Sequence, residues 1–117
     1  MGARINFVFN DGTDHAVGFY SHWGADTWQE DLANAIRHAE PRLGDYSYWT
    51  RMVISYLIQD EVLQDTGYGI FAMGADDVAI LWATENVHID LVNKTVNGVS
   101  FDTFCNYGIA LDNYRNA

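Results

Sequence analysis

A change in the spacing of apolar residues along the chain constrains its fold more than any other feature. Residues 5–9 alternate large apolar side chains with other types, a period of two that predicts a strand with one buried face. Over residues 27–63 the apolar positions instead recur every three or four residues, which predicts two amphipathic helices separated at Pro41. The strand pattern returns from Gly69 onward. The predicted order is β-β-α-α-β-β-β, with a sixth strand as the alternative, and the predicted class is α+β.

Turn and capping residues set the expected boundaries of these elements. Asp11-Gly12 predicts the turn of a hairpin between the first two strands. Thr27 and Glu30 fit a capping box at the start of the first helix. The second helix is expected to begin at Asp45 or Ser47 and to run to about residue 63, and Ser100 is expected to cap a short final helix. The later strands are predicted over Gly69–Met73, Val78–Thr84 in the middle of the sheet, Val87–Val92 and Thr95–Phe101.

The length of the chain and its content of apolar residues indicate one domain. Its 117 residues are typical of a single domain, and hydrophobic residues make up 49% of them. A chain of this kind can fold around a core without disulfides or metal ions. We therefore predict one α+β domain over residues 1–117, with an antiparallel sheet of about five strands packed against two helices.

The charge and cysteine content of the chain exclude several classes of function. Sixteen acidic and six basic residues give a net charge of −10, which disfavours direct binding to nucleic acids or to anionic lipid surfaces. Cys105 is the one cysteine, so no internal disulfide can form and a reducing compartment is the simpler interpretation. The sequence has no signal peptide and no membrane-spanning run, which predicts a cytoplasmic protein with no membrane partner.

The densest group of candidate binding residues is Tyr20, Ser21, His22 and Trp23, where the second strand leads into the first helix. Aromatic rings can stack on a flat ligand, and serine and histidine can form hydrogen bonds with it. Helix N-termini also offer free backbone N–H groups. The alternative interpretation is structural: Tyr20 and Trp23 would belong to the core, and the polar side chains would satisfy the turn.

Four further residues extend this candidate site. Thr66 and Tyr68 belong to a Thr-Gly-Tyr-Gly segment, where Tyr68 could cover a ligand near His22, or the glycines could simply end the second helix. Arg37 and Arg51 could bind a phosphate or a carboxylate if they converge on the pocket. Each arginine could equally pair with a nearby carboxylate on the surface.

The sequence contains no constellation that specifies a reaction. Ser21 and His22 are adjacent, so their side chains point to opposite sides of an extended segment and do not form a catalytic pair. The four histidines lack the spacing of metal ligands. We therefore predict no enzymatic activity, no cofactor and no metal site.

The Tyr20–Gly24 run, the Thr66–Ile70 segment and the later Val-x-Ile-Asp-Leu strand resemble small uncharacterised proteins of tailed bacteriophages and prophages. The likeness extends over roughly residues 5–104. It implies a phage origin and attaches no known activity. A small non-structural phage protein often acts by binding a component of its host, which favours an inhibitory or sequestering role.

Two functions remain open from the sequence. The first is a homo-oligomeric phage protein that sequesters a small, nucleotide-like ligand and so counters host defence in the host cytoplasm. The second is an acidic inhibitor of a host protein, such as a defence nuclease, that mimics a nucleic acid. In the second case the active residues would be acidic: Asp60, Glu61, Asp65, Asp76 and Asp77.

Overall fold

A computed structural model describes residues 4–77 and 85–116 of the chain. The predicted strand over Val78–Thr84 lies outside these residues. Short 3₁₀ turns cover Gly24–Thr27, Glu40–Arg42 and Gln59–Glu61. The longer elements are β1 (Ile5–Asn10), β2 (His15–Ser21), α1 (Trp28–Ala39), α2 (Tyr46–Ile58), β3 (Tyr68–Gly74), β4 (Glu85–Asp90), β5 (Thr95–Val96), β6 (Val99–Ser100) and α3 (Phe101–Arg115).

The α+β class predicted from the sequence is confirmed, but the sheet is mixed and has six strands in the described part of the chain. Their order is β3-β2-β1-β4-β5-β6. β1 and β4 are parallel, with Phe7 opposite Val87, whereas the other neighbours are antiparallel. The prediction of about five antiparallel strands was wrong in this detail. Alternation of side chains shows which residues share a face, and it carries no information on the direction of the neighbouring strand.

Three helices are present in residues 4–77 and 85–116: the two predicted to pack against the sheet, and α3 at the place of the predicted final helix. The chain predicted as one strand over Thr95–Phe101 forms two short strands, because Asn97 and Gly98 both have positive φ and reverse its direction. Ser100 then caps α3 as expected, accepting a hydrogen bond from the N–H of Thr103 at 3.2 Å. This helix has 15 residues and is not short.

The ends of α1 and α2 also differ in part from the predictions. The capping box at Thr27 is not formed, because the Thr27 hydroxyl donates to the Asp31 carboxylate at 2.8 Å. The Glu30 side chain instead lies buried and pairs with Arg115 on α3 at 2.7 Å. Asp45 is the N-cap of α2, as one of the two alternatives predicted. α2 ends at Ile58, five residues before the expected end, where Gln59 has a φ of +46°.

One face of the sheet carries the main hydrophobic core, and the three helices pack on it. Phe7 and Phe19 lie on this face, together with Trp49 from α2, and all three are buried. The Trp49 ring stacks on that of Phe101 from α3, with 5.4 Å between their centroids. α1 and α3 approach so closely at Gly108 that a methyl group there would lie 2.5 Å from Ala33 Cβ.

The helical layer leaves part of the β2–β3 region uncovered. Phe19 on β2 is fully buried, but Val17 lies on the same face two residues earlier and is 38% exposed. Ile70 on β3 lies opposite Phe19 and is 64% exposed. Large apolar side chains therefore point from the sheet toward the side of α2, and no helix of the described residues lies above them. This uncovered area is the floor of the groove described next.

Candidate functional site

A groove with a volume of about 720 Å³ lies between α2 and the uncovered part of the sheet. Small-molecule sites in proteins typically have volumes of roughly 300–1,000 Å³ and mainly apolar walls. The floor of this groove is formed by Phe9, Val17, Ile70 and Ala72. Because these residues share one face of the sheet, the floor is apolar along its whole length.

The inner face of α2 forms the wall of the groove, and its residues follow the helical repeat. Thr50, Ile54 and Ile58 are four positions apart and therefore lie above one another on the helix. Val62, just beyond the 3₁₀ turn, continues the apolar wall and is itself exposed. A ligand in this groove would meet aliphatic side chains on both sides.

Polar side chains are found at the rim of the groove. A second row on α2 consists of Ser47, Arg51 and Ser55. It lies beside the row of Thr50, Ile54 and Ile58 on the helix surface. The Arg51 guanidinium donates to Ser55 Oγ at 3.5 Å. The hairpin after β1 contributes further polar groups at one end, and the complete rim is Asp11, Thr13, His15, Ser47, Arg51 and Ser55.

Three of the four residues in the Tyr20–Trp23 run come together, but at the opposite end of β2 from the groove floor. The Tyr20 hydroxyl lies 2.8 Å from His22 Nδ1, and the rings of His22 and Trp23 meet edge to face at 4.4 Å. The backbone N–H of His22 donates to the carbonyl of Gly67 at 2.8 Å. We call Tyr20, His22, Trp23 and Gly67 the aromatic cluster. The Trp23 side chain is 53% exposed, and no member of the cluster lines the groove.

Ser21 and Tyr68 face the helices, so they point away from Tyr20. Ser21 is buried, and it lies opposite Tyr68 on the neighbouring strand. The Tyr68 ring stacks on Phe19 with 6.1 Å between centroids, and its hydroxyl donates to Glu61 at 2.7 Å. Burial and this contact with a carboxylate raise the pKa of Tyr68 to about 12. Tyr68 thus anchors the turn after α2 to the sheet.

The two arginines of the predicted site do not converge. Arg37 on α1 pairs with Glu40 at 2.6 Å and with Asp102 of α3 at 3.3 Å, so it bridges two helices. These contacts raise the pKa of Arg37, and the hydrogen bond that its guanidinium donates to Glu40 is the main cause. Arg51 lies at the rim of the groove. Thr66 is exposed beside the aromatic cluster. Of the eight residues predicted for a binding site, Arg51 is the one that lines the groove.

Two of the five acids proposed for a nucleic-acid mimic have structural roles. Glu61 accepts the hydrogen bond from Tyr68. Asp77 accepts a hydrogen bond from the backbone N–H of Gly74 at 2.8 Å and so closes the turn after β3. Asp60, Asp65 and Asp76 are exposed.

The described residues offer little for redox or metal chemistry. Cys105 is buried against α1, and its thiol contacts the carbonyl oxygen of Ala33 at 3.7 Å. Burial raises the pKa of this thiol to about 11, which disfavours the reactive thiolate. Residues 4–77 and 85–116 contain no group of three or more His, Cys, Asp or Glu residues placed to hold a metal ion. No helix within these ranges combines the length and apolarity needed to span a bilayer.

The groove residues were not recognised as a site in the sequence. Taken alone, the row of Ile54, Ile58 and Val62 has the spacing of a core-facing stripe on an amphipathic helix. A signal was nevertheless present, because this row lies beside the main stripe of α2 that contains Trp49 and Val53. A helix with two adjacent apolar stripes needs two covering surfaces. Here the second surface is the exposed part of the β2–β3 sheet.

Comparisons with known proteins give no relative on which a family assignment could rest. No protein family, no curated protein and no solved structure matches the chain. The resemblance to phage proteins stays a prediction.

Proposed function

We propose that this chain is a binding protein that sequesters a small, mainly apolar molecule in the groove between α2 and the β2–β3 sheet. The observation that supports this function is the exposed apolar floor, where Val17 and Ile70 lie under no helix of the described residues. Leaving such side chains in water is unfavourable by about 25 cal/mol for each Å² of apolar surface that a ligand could cover. A concave apolar surface with a few polar groups at its rim is typical of a small-molecule site.

The charge of the lining residues favours a weakly charged ligand over a nucleotide with several phosphates. Arg51 is the one arginine or lysine among the lining residues, and Asp11 adds a negative charge at the same rim. A polyphosphate would require several cations or backbone N–H donors at once. The proposal therefore keeps the predicted sequestering role and changes its site and its ligand class.

The biological setting that we propose is the one implied by the phage resemblance. A protein that binds a host metabolite or signal without converting it needs a groove and no catalytic group. We propose that the protein works in this way in the host cytoplasm, without enzymatic activity. A homo-oligomer remains part of this proposal, and size-exclusion chromatography with light scattering would test it.

The groove can be tested with a neutral apolar probe. We expect purified protein to bind Nile red with a gain in fluorescence, and dodecanol to displace the dye. Val17→Glu places a charge in the floor and should reduce Nile red affinity about tenfold or more, because burying an unpaired carboxylate is unfavourable. Binding of Nile red by this variant as strong as by the wild-type protein would contradict the proposal.

Val99→Glu is the matched control for this experiment. Val99 is also a strand valine, it is 43% exposed against 38% for Val17, and it lies on β6 outside the groove. The two substitutions change the net charge equally. We expect Val99→Glu to bind Nile red as the wild-type protein does, and an equal loss in both variants would place the dye outside the groove.

An acidic inhibitor of a host nuclease is the second candidate function. The exposure of Asp60, Asp65 and Asp76 supports it. Glu61 and Asp77 support it less, because their carboxylates already accept hydrogen bonds within the fold. Replacing Asp60, Asp65 and Asp76 by asparagine separates the two candidates, because the inhibitor function predicts that this variant no longer inhibits the nuclease, whereas the groove function predicts full activity with unchanged Nile red binding.

A further inference from the structure

We infer that the ligand of the groove is an amphiphile whose apolar body lies on the sheet and whose single oxyanion head binds the Arg51 guanidinium. This inference rests on the proposed function and specifies its ligand. An oxyanion here means a carboxylate or a phosphate monoester, since both match the planar guanidinium in geometry and charge.

The first argument is that Arg51 lacks an anionic partner among the described residues. Within the described residues the other arginines contact partners of different kinds, and Arg42 lies over the Tyr48 ring, with 5.0 Å from its Cζ to the ring centroid. Arg37 pairs with Glu40 and Asp102, and Arg115 pairs with the buried Glu30. Within residues 4–77 and 85–116, the contact of the Arg51 guanidinium is a long hydrogen bond to the neutral Ser55 hydroxyl at 3.5 Å. Its donors are thus available to a ligand.

The second argument is the arrangement of the helix face that holds Arg51. Ser47, Arg51 and Ser55 are spaced by four residues and form a polar row along α2. Thr50, Ile54 and Ile58 form a parallel, more apolar row beside it and nearer the floor. A molecule lying on the floor would meet the apolar row with its body and the polar row with its head. The two rows therefore match the two parts of an amphiphile.

The third argument concerns the carboxylate at the same rim. Asp11 accepts hydrogen bonds from the backbone N–H of Thr13 at 3.1 Å and from its hydroxyl at 2.7 Å. These bonds lower the pKa of Asp11 and hold its charge in the hairpin turn. Within the described residues, no hydrogen bond or ion pair joins Asp11 to Arg51. It therefore does not neutralise Arg51, but it does oppose a ligand with several negative charges.

Competition for Nile red with three probes that share a dodecyl chain tests this inference. Dodecanoate and dodecyl phosphate carry an oxyanion, dodecanol does not, and all three are used below the concentrations at which they form micelles. We expect the wild-type protein to bind the better anionic probe about tenfold more tightly than dodecanol, as for one charge-assisted hydrogen-bonding contact. Arg51→Gln keeps part of the stem and removes the charge, and it should abolish this preference.

Arg37→Gln is the control for net charge, since it removes the same charge from a residue outside the groove. It should keep the preference for the anion. Equal affinity of the wild-type protein for all three probes would overturn the inference while leaving the proposed function intact. An unchanged preference in Arg51→Gln, or an equal loss in both variants, would also overturn it. Failure of the wild-type protein to bind Nile red or dodecanol would overturn both proposals. The ratio between the two anionic probes identifies the head group.

Discussion

The aromatic cluster and the groove lie at opposite ends of the same pair of strands, and they differ in how far their side chains satisfy one another. The cluster is found where Ser21 of β2 pairs with Tyr68 of β3. The groove floor extends toward the other end, where His15 pairs with Gly74. In the cluster, the polar atoms and rings contact their neighbours. In the groove, apolar side chains point into an open space.

The two ends of the β2–β3 pair differ in this way because they have different structural roles in the fold. At the cluster the chain leaves β2, turns into α1, and passes beside the segment that enters β3. Such a crossing needs hydrogen bonds and close packing. The hydrogen bond between the Tyr20 hydroxyl and His22 Nδ1 supplies the first, and the contact of the Trp23 indole with Gly67 supplies the second. At the groove, the sheet simply extends beyond the helical layer. Polar and aromatic residues stabilise the crossing, whereas aliphatic residues form the groove.

Among the substitutions that test this comparison, the largest effect on the free energy of unfolding is expected at Gly67. Its φ of +96° is unfavourable for any residue with a Cβ, and a methyl group there would lie 2.8 Å from the indole Nε1 of Trp23. We expect Gly67→Ala to lower the free energy of unfolding by about 1–2 kcal/mol, measured by urea denaturation. Nile red affinity should stay within twofold of the wild-type value, as roughly expected for a residue outside the groove.

Gly69→Ala is the matched control. Gly69 lies two residues further along, its φ is not positive, and a methyl group there meets no atom within 4 Å. We expect a change of at most about 0.5 kcal/mol, as for ordinary surface substitutions. If Gly67→Ala were as stable as Gly69→Ala, the role of the aromatic cluster in stabilising the chain crossing would be contradicted.

The next largest effect on the free energy of unfolding is expected at Tyr68, whose side chain anchors the turn after α2 to the sheet. Its folded-state pKa of about 12 lies above the ordinary value of 10.0, so its neutral hydroxyl contributes stability below pH 10. This contribution is lost as the pH rises through about 12, when the phenolate forms beside Glu61. We expect Tyr68→Phe to reduce the free energy of unfolding by about 1 kcal/mol near neutral pH.

Urea denaturation of both proteins from neutral pH to about pH 11 checks this prediction. The stability of the wild-type protein should fall more steeply above pH 10 than that of Tyr68→Phe, so the two curves converge. Curves that stay parallel would show that the phenol does not titrate as the structure requires. Glu61→Gln keeps an acceptor without the charge and should give an intermediate slope.

The local pattern of the sequence is sufficient to predict the fold class and most helix boundaries. The period of two in β1 and the Asp11-Gly12 turn lead directly to the first hairpin, where Gly12 has a φ of +91°. Pro41 marks the end of α1 within two residues. These features depend on neighbours in sequence, so residue type and spacing are enough to predict them.

Features that depend on distant contacts could not be predicted in this way. The parallel pairing of β1 with β4 joins residues about 80 positions apart, as in the hydrogen bond from Asn6 to Asn86. Glu30 was assigned to a capping box, but Arg115 draws it to α3 from the far end of the chain. The groove likewise depends on the relative widths of the sheet and the helical layer. The second apolar stripe of α2 indicates that this helix faces a further surface, but no local pattern of residues encodes that width.

The smallest expected effect tests the residue on which the sequence-based site most depended. His22→Ala removes the hydrogen bond with the Tyr20 hydroxyl and the edge contact with Trp23, but it keeps the backbone hydrogen bond to Gly67. Because His22 is only half-buried, we expect a loss of about 0.5–1 kcal/mol in the free energy of unfolding.

Nile red and dodecanoate binding by His22→Ala should match the wild-type protein, whereas Val17→Glu should bind both more weakly. The two variants thus separate a residue that stabilises a chain crossing from one that lines a cavity. If His22→Ala lost binding while remaining folded by circular dichroism, the ligand would lie at the aromatic cluster. The exposed Trp23 ring would then be its stacking surface, and the groove would be only the uncovered margin of the sheet.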